Sequence, residues 1–150
     1  MKYALIFILF VGITSCNTTK KRTLRESKLI GKWSNVSLLV TMKELGKEDS
    51  IFQAKEGDWK RVLRNKPVMT EFLEDGTYIS QFSNLNEEIT KEERGKWQIQ
   101  NDSLVVTIDD EVFRYHFKIV DNLITYKAIM DWDGDGKKDD TYDAVHVKVQ

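Results

Sequence analysis

The chain has 150 residues and a formal net charge of −1, with 23 basic and 24 acidic side chains. This balance excludes the strongly basic surface that nucleic-acid binding requires, so we expect no nucleic-acid partner. The single cysteine excludes an intramolecular disulfide, so the stability of the fold must come from a hydrophobic core. The length is sufficient for one domain with a buried interior, and we expect a monomer.

The N-terminus has the layout of an export signal. Lys2 precedes the apolar run ALIFILFVGI, which is too short to span a membrane, and ITSC then places small residues before Cys16. This ending resembles the lipobox of bacterial lipoproteins, in which the cysteine is acylated and begins the mature chain. The resemblance implies a signal peptide at 1–15, a lipid anchor at Cys16 and export to the bacterial cell envelope, most often to the outer membrane. An ordinary signal peptide with a chance cysteine is the alternative.

The residues after Cys16 are polar and basic, and they lack apolar periodicity over NTTKKRTLRESK, residues 17–28. This composition is typical of a flexible linker. We therefore predict a tether at 16–28 that joins the lipid to one folded domain at 29–150.

From about residue 30 onward, apolar and polar side chains alternate with the period of a β-strand. In VFRYHFKIV, for example, Phe113, Tyr115 and Phe117 share one face. Short polar pieces rich in Asp, Asn and Gly separate these runs and suit hairpin turns. The predicted strands lie near 33–42, 68–73, 77–83, 94–100, 103–109, 112–120, 123–130 and 141–149.

The segment 43–66 is ambiguous, because Ile51 and Phe52 fit a strand whereas DWKRVLRN fits a helical turn before Pro67. Elsewhere, hairpin-linked strands with one apolar face each fit an up-and-down sheet that closes on itself and hides its edges. We predict an all-β fold, an antiparallel barrel of about eight strands. Its interior is either filled by side chains or holds one small ligand.

Three motifs in this order resemble the small lipocalin-like lipoproteins of bacteria, particularly Bacteroidota: LIGKW (29–33), FLEDGTY (72–78) and RGKWQIQNDSLVVT (94–107). Gly31 and Trp33 resemble the Gly-x-Trp signature, in which the indole closes one end of a lipocalin barrel. The resemblance implies a calycin-type barrel, but it does not identify a ligand. Lipocalins usually stack an arginine from the last strand on this tryptophan. Here the last strand offers only Lys148, so we expect a differently built closure.

The segment DWDGDGKKDDTYD, residues 131–143, contains six aspartates. Calcium prefers six to eight oxygen ligands held by a tightly curled loop, and the D-x-D-x-D-G pattern places alternate carboxylates before a glycine that permits the turn. Magnesium keeps its waters more readily, so calcium is the preferred cofactor. The predicted ligands are Asp131, Asp133, Asp135, the backbone carbonyl of Lys137, and Asp139.

The aspartate segment departs from an EF-hand in two ways. Tyr142 occupies the position of the bidentate glutamate, and the flanking sequences predict strands rather than helices. Asp140 or Asp143 could add the missing oxygen, and we rank both below the other ligands. We expect a structural cation that joins the last two strands. An unliganded, acidic hairpin tip is the alternative.

No catalytic constellation is recognisable in the sequence. His116 lies between Arg114 and Lys118, and His146 alternates with valines, so we predict that both histidines face solvent. No cysteine remains after lipidation for nucleophilic chemistry. We therefore predict that the protein is not an enzyme.

Two functions fit these expectations. One is a tethered binding module whose barrel takes a small apolar molecule or lipid. The other is a protein-interaction part, such as an envelope-assembly or inhibitor lipoprotein, with a filled barrel and a working surface at 43–66 or 83–93. A cavity lined by aromatic side chains favours the first, and a packed interior with an exposed apolar patch favours the second. Aromatic residues are more often packed core than cavity wall in a small barrel. The candidate lining residues are Tyr78, Phe82, Trp97, Phe113, Tyr115, Phe117 and Tyr126.

Overall fold

The alternating runs of the sequence form one antiparallel sheet in a computed structural model that describes residues 22–149. The predicted signal peptide and Cys16 lie outside the described residues. The elements within them are α1 Leu24–Leu29, β1 Gly31–Met42, β2 Ser50–Ala54, α2 Trp59–Val62, β3 Met69–Phe72, β4 Thr77–Ser83, β5 Ile89–Gln100, β6 Ser103–Ile108, β7 Glu111–Val120, β8 Leu123–Met130 and β9 Asp140–Val149. None of the helices in this part of the chain is long and apolar enough to cross a membrane.

The sheet closes because its last strand pairs with its first. Strands β3 to β9 follow one another as antiparallel neighbours, and β9 pairs with β1 from Lys32↔Val149 to Thr41↔Thr141. The result is a closed lipocalin-like barrel of eight strands with β2 as one extra strand. Closure leaves the barrel strands without free edges. The predicted fold class is therefore confirmed.

The segment 43–66, which was ambiguous in the sequence, forms both a strand, β2, and a helical turn, α2. The start of β1 pairs with β3, whereas its later residues Leu38 to Met42 pair with β2. Residues 55–68 follow β2 and include α2, where the Trp59 side chain is buried and its Nε1 donates to the Val36 carbonyl at 3.1 Å. This tryptophan fixes the segment against the barrel wall beside β1.

The connections between strands separate into two groups at opposite ends of the barrel. The turns at 73–76, 101–102 and 121–122 lie at the end that also carries α1, which we call the closed end. The other end, which we call the open end, carries the connections 43–49, 84–88, 109–110 and 131–139.

Trp33 closes the barrel, and Lys148 covers it. The Trp33 side chain is fully buried, and its Nε1 donates to the Leu29 carbonyl at 2.7 Å. The ammonium of Lys148 lies 5.2 Å from the centroid of the Trp33 ring and donates to the Lys28 carbonyl at 2.8 Å. Gly31 has φ +120°, and a Cβ there would lie 3.1 Å from Lys148 Cε, so glycine leaves room for the lysine stem. Lysine thus occupies the position of the expected arginine.

The helix α1 occupies residues 24–28, which the sequence analysis assigned to the tether. A capping box between Thr23 and Glu26 begins the helix. The Arg25 guanidinium lies 4.1 Å from the Phe117 ring centroid and donates to the Asp102 carboxylate and the Phe117 carbonyl, each at 2.9 Å. A helix of six residues is too short to show apolar periodicity. Arg25, together with the bonds from Trp33 and Lys148 to helix carbonyls, attaches it to the closed end.

Candidate functional site

A cavity of about 490 Å³ lies inside the barrel toward the open end. Its size falls in the range of about 300–1,000 Å³ that is typical of small-molecule sites. Strands around the barrel contribute to its wall, and so do Asp131 and Trp132 from the aspartate segment. The interior is therefore not filled by side chains in this half of the molecule.

The predicted aromatic residues divide between the cavity and the core. Four of them line the cavity: Tyr78, Phe82, Phe113 and Tyr115. Trp97 and Phe117 belong to the buried core instead, and Trp97 Nε1 donates to the Leu73 carbonyl at 3.0 Å near the closed end. Tyr126 lines a smaller space of about 50 Å³, which shares Tyr115 and His146 with the main cavity. The two spaces therefore adjoin.

One wall of the cavity was not predicted. Phe52, Trp59, Leu63 and Val68 line it from β2, α2 and the chain that follows. The sequence indicated a short strand at Phe52 and a helical turn at 58–65, but these local patterns do not show that the segment folds over the cavity.

His146 lies inside the barrel, so the prediction that it faces solvent was wrong. Its side chain is 7% exposed, and burial lowers its pKa to about 3. The error came from assigning the valines of β9 to the interior, whereas the buried residues of β9 are Asp140, Ala144 and His146. His116 is exposed, as predicted.

Three buried polar side chains lie where the main cavity adjoins the smaller space, and we call them the polar floor: Asn35, Tyr126 and His146. Asn35 pairs with His146 across β1 and β9, and the rings of Tyr126 and His146 lie 4.8 Å apart. The Asn35 Oδ1, the Tyr126 hydroxyl and both His146 nitrogens are buried and have no hydrogen-bond partner among the described residues. Desolvation also raises the pKa of Tyr126 well above its ordinary value, so its hydroxyl keeps its proton.

A row of aromatic rings connects the aspartate segment to the polar floor. Trp132 lies 5.7 Å from Tyr142, Tyr142 lies 5.9 Å from Tyr115, and Tyr115 lies 5.7 Å from Tyr126. The last contact of the row joins Tyr126 to His146. Loop and cavity are therefore parts of one packed structure.

Three carboxylates of the aspartate segment lie close enough to hold a metal ion. One oxygen each of Asp131, Asp133 and Asp140 lies within 4.8 Å of the others. Asp131 accepts hydrogen bonds from the amides of Gly134 at 2.8 Å and Gly136 at 3.0 Å, which curl the loop around it. Oxygen-rich sites of this kind suit a hard divalent cation.

Asp140 anchors the cluster to the barrel. Its side chain is almost fully buried and accepts from the amides of Lys43 at 2.9 Å and Trp132 at 2.7 Å. These bonds, with the Lys43 amide as the largest cause, lower the pKa of Asp140. Sequence reasoning ranked this residue below the others, because its contact with Lys43 depends on the pairing of β9 with β1.

The other predicted aspartates lie outside the cluster. Asp135 accepts from the amide and the ammonium of Lys137, and this pairing lowers the pKa of Asp135. Asp139 is exposed, and Asp143 forms an ion pair with Lys127 at 2.7 Å on the barrel wall. The structure thus brings Asp131 and Asp133 together with Asp140.

No protein-family model matches this chain, and no curated protein matches its sequence. Function is therefore inferred from the cavity, the aspartate cluster and the sequence motifs.

Proposed function

We propose that this protein is a lipid-anchored, non-catalytic binding module of the bacterial cell envelope, and that its barrel takes a small apolar ligand or lipid. The cavity at the open end is the observation that carries the proposal. Its volume of about 490 Å³ suits one small molecule, and most of its lining is aromatic or aliphatic. Each Å² of apolar ligand surface removed from water contributes about 25 cal/mol to binding.

The lipobox at Cys16 supports anchoring, and the fold then sets the orientation of the barrel. Cys16 precedes the first residue of α1, Leu24, by 24 − 16 = 8 positions, and α1 packs on the closed end through Arg25. An acyl chain on Cys16 therefore holds the closed end toward the membrane and leaves the cavity mouth on the opposite side. The envelope, and most often the outer membrane, is the proposed location.

The environment of His146 supports a non-catalytic role. A general base needs a reacting group in reach and a partner that orients it. His146 has no hydrogen-bond partner among the described residues, and burial keeps it neutral by lowering its pKa to about 3.

We further infer that the aspartate cluster binds calcium and that the ion staples the hairpin between β8 and β9. The D-x-D-x-D-G pattern and the three carboxylates within 4.8 Å support this. Asp140 also accepts from the amide of Lys43, which directly follows β1, so the cluster is bonded to the end of that strand as well. The role is structural, because the cluster joins three strands where the barrel closes.

Native mass spectrometry tests ligand binding. The variant Cys16→Ser, expressed in its own host and purified without detergent, should carry a co-purified lipid or metabolite of constant mass. The variant Val106→Trp fills the cavity and should lose that mass, whereas Val112→Trp on the exposed start of β7 should keep it. A spectrum without any organic adduct, from chain that is folded by circular dichroism, would contradict the proposal.

Exposed apolar side chains at the open end favour protein interaction as a second candidate. The exposed fractions are 92% for Leu45, 55% for Ile89 and 41% for Trp132. Crosslinking in the host envelope, with Leu45→Asp against Leu24→Asp at the closed end, tests this role. A single crosslinked partner lost only in the Leu45 variant would support it, and identical crosslinking patterns would argue against it.

A further inference from the structure

The polar floor has more hydrogen-bonding capacity than the described chain satisfies. Four buried atoms, on Asn35, Tyr126 and His146, have no partner in residues 22–149. A buried polar group without a hydrogen bond is costly, and most buried groups in native proteins are paired. Four such atoms in one cluster therefore indicate a place where something polar is bound.

The position of the polar floor determines how a bound ligand would be oriented. Asn35 and His146 line the main cavity, and Tyr126 and His146 line the smaller space beside it. Asn35 on β1 and His146 on β9 lie nearer the closed end than Tyr142 and Trp132 do. A ligand that enters from the open end would place its leading group on the polar floor.

The chemistry of the polar floor limits what that group can be. A neutral imidazole has one donor and one acceptor, the Asn35 oxygen accepts, and the Tyr126 hydroxyl can donate. An alcohol or an amide satisfies such a set. A charged group would be buried there without a counter-charge. Of the three charged lining residues, Lys66 pairs with Glu87 at 2.8 Å, Glu93 pairs with Lys91 at 2.7 Å, and Asp131 lies in the aspartate cluster at the open end.

We propose that the ligand is amphipathic, with an uncharged hydrogen-bonding head on Asn35, Tyr126 and His146 and an apolar body among the aromatic side chains toward the open end. This inference rests on the proposed binding function and names its ligand class. A hydroxyl or amide head pairs atoms that otherwise stay unpaired, so the head adds affinity as well as orientation.

A series of decyl compounds tests the head group. The Cys16→Ser chain is titrated with decanol, decyl chloride, decanoate and decylammonium, and binding is followed by tryptophan fluorescence, since Trp59 and Trp132 line the cavity. Decanol should bind about tenfold or more tightly than decyl chloride, which has a similar shape but no hydroxyl. Both charged compounds should bind more weakly than decanol.

Variants of the polar floor test where the head binds. Tyr126→Phe removes one hydroxyl and keeps the ring, and His146→Phe removes both nitrogens. Each should reduce the preference for decanol over decyl chloride, whereas His116→Phe on the exposed face of β7 should leave it unchanged. Since His146→Phe could disturb folding, the tyrosine variant provides the second, milder measurement.

The outcomes separate this inference from the proposed function. Equal affinity for decanol and decyl chloride would overturn the polar-head inference and leave an apolar binding module intact. If decanoate bound most tightly of the four compounds, the inference that the head group is uncharged would be wrong. If both floor variants still prefer decanol over decyl chloride, the hydroxyl head binds elsewhere and the inference is wrong. The polar floor would then hold bound water instead. No binding of any compound, together with no co-purified ligand, would overturn both proposals.

Discussion

The closed end and the cavity are built on the same strands, but their buried polar atoms differ in whether they have hydrogen-bond partners. At the closed end the indole nitrogens of Trp33 and Trp97 both donate to backbone carbonyls. At the polar floor, atoms of Asn35, Tyr126 and His146 are equally buried and have no partner within the described residues. A fold that needed only stability would pair or remove such groups. The contrast supports the proposal that the cavity binds a ligand, whereas the paired indoles of the closed end stabilise the barrel.

Trp33→Ala should give the largest effect on stability. The side chain is fully buried, and the loss of a buried Trp or Phe costs about 3–5 kcal/mol of the free energy of unfolding. Trp132→Ala at the open end is the matched control. Trp132 is 41% exposed, so we expect a loss of about 1 kcal/mol or less. Urea unfolding measures both, and equal losses would remove the distinction between the two ends.

Calcium should stabilise the open end selectively. At a free concentration of about 100 times Kd, a bound ion adds about 2.7 kcal/mol to stability, so a chelator should lower Tm. The double variant Asp131→Ala with Asp133→Ala should remove the difference between calcium and chelator. Asp109→Asn, an exposed aspartate at the same end, should keep it. Identical melting curves of the wild type in calcium and in chelator would contradict the calcium site.

Acid should weaken the wild type through His146. The pKa of this histidine is lowered to about 3 in the folded chain, against about 6.5 when unfolded, so the unfolded state takes up the proton first. Stability is therefore full above about pH 6.5 and falls as the pH drops toward 3, by about 2 kcal/mol between pH 7 and 5. Urea titrations at both pH values measure the loss.

The variant His146→Phe should remove most of this pH dependence. His116→Gln, at the exposed histidine, controls for the loss of an imidazole. If His146→Phe lost as much unfolding free energy between pH 7 and pH 5 as the wild type does, burial would not lower the pKa of His146 and the prediction would be wrong.

Replacement of Lys148 should have the smallest effect. Lys148→Met removes the cation over Trp33 and the bond to the Lys28 carbonyl, and we expect a loss of about 1 kcal/mol. Lys148→Arg restores the residue that is usual in lipocalins and should match or exceed the wild type. Thermal unfolding checks both, and Lys118→Met on the exposed face of β7 is the control. A stability of Lys148→Met equal to that of the wild type would show that the cover on Trp33 is not needed.

Strands with one solvent-exposed face were the easiest to predict. In β7, Phe113 and Phe117 face inward while Arg114 and His116 are exposed, and that alternation is visible in the letters alone. In β9 both faces carry apolar residues, so the alternation could not tell which face is buried. His146 was consequently assigned to the wrong side.

The candidate site was harder to predict than the strands. Whether the barrel is filled depends on residues 52–68, whose apolar side chains have no regular period. The membership of Asp140 in the cluster depends on its bond to the Lys43 amide, a contact between residues far apart in the chain. Only the D-x-D-x-D-G spacing of Asp131 and Asp133 was a local signal.

The pairing of β1 with β9 also governs how the chain folds. Thr41 and Thr141 are direct partners although 141 − 41 = 100 positions separate them in the chain. Pairing across so long a loop is entropically costly and slow, whereas the hairpins from β3 to β9 form between chain neighbours. The edge of β1 that β9 covers therefore stays unpaired until the last strand docks, and in a partly folded chain this edge is exposed to pairing with other chains.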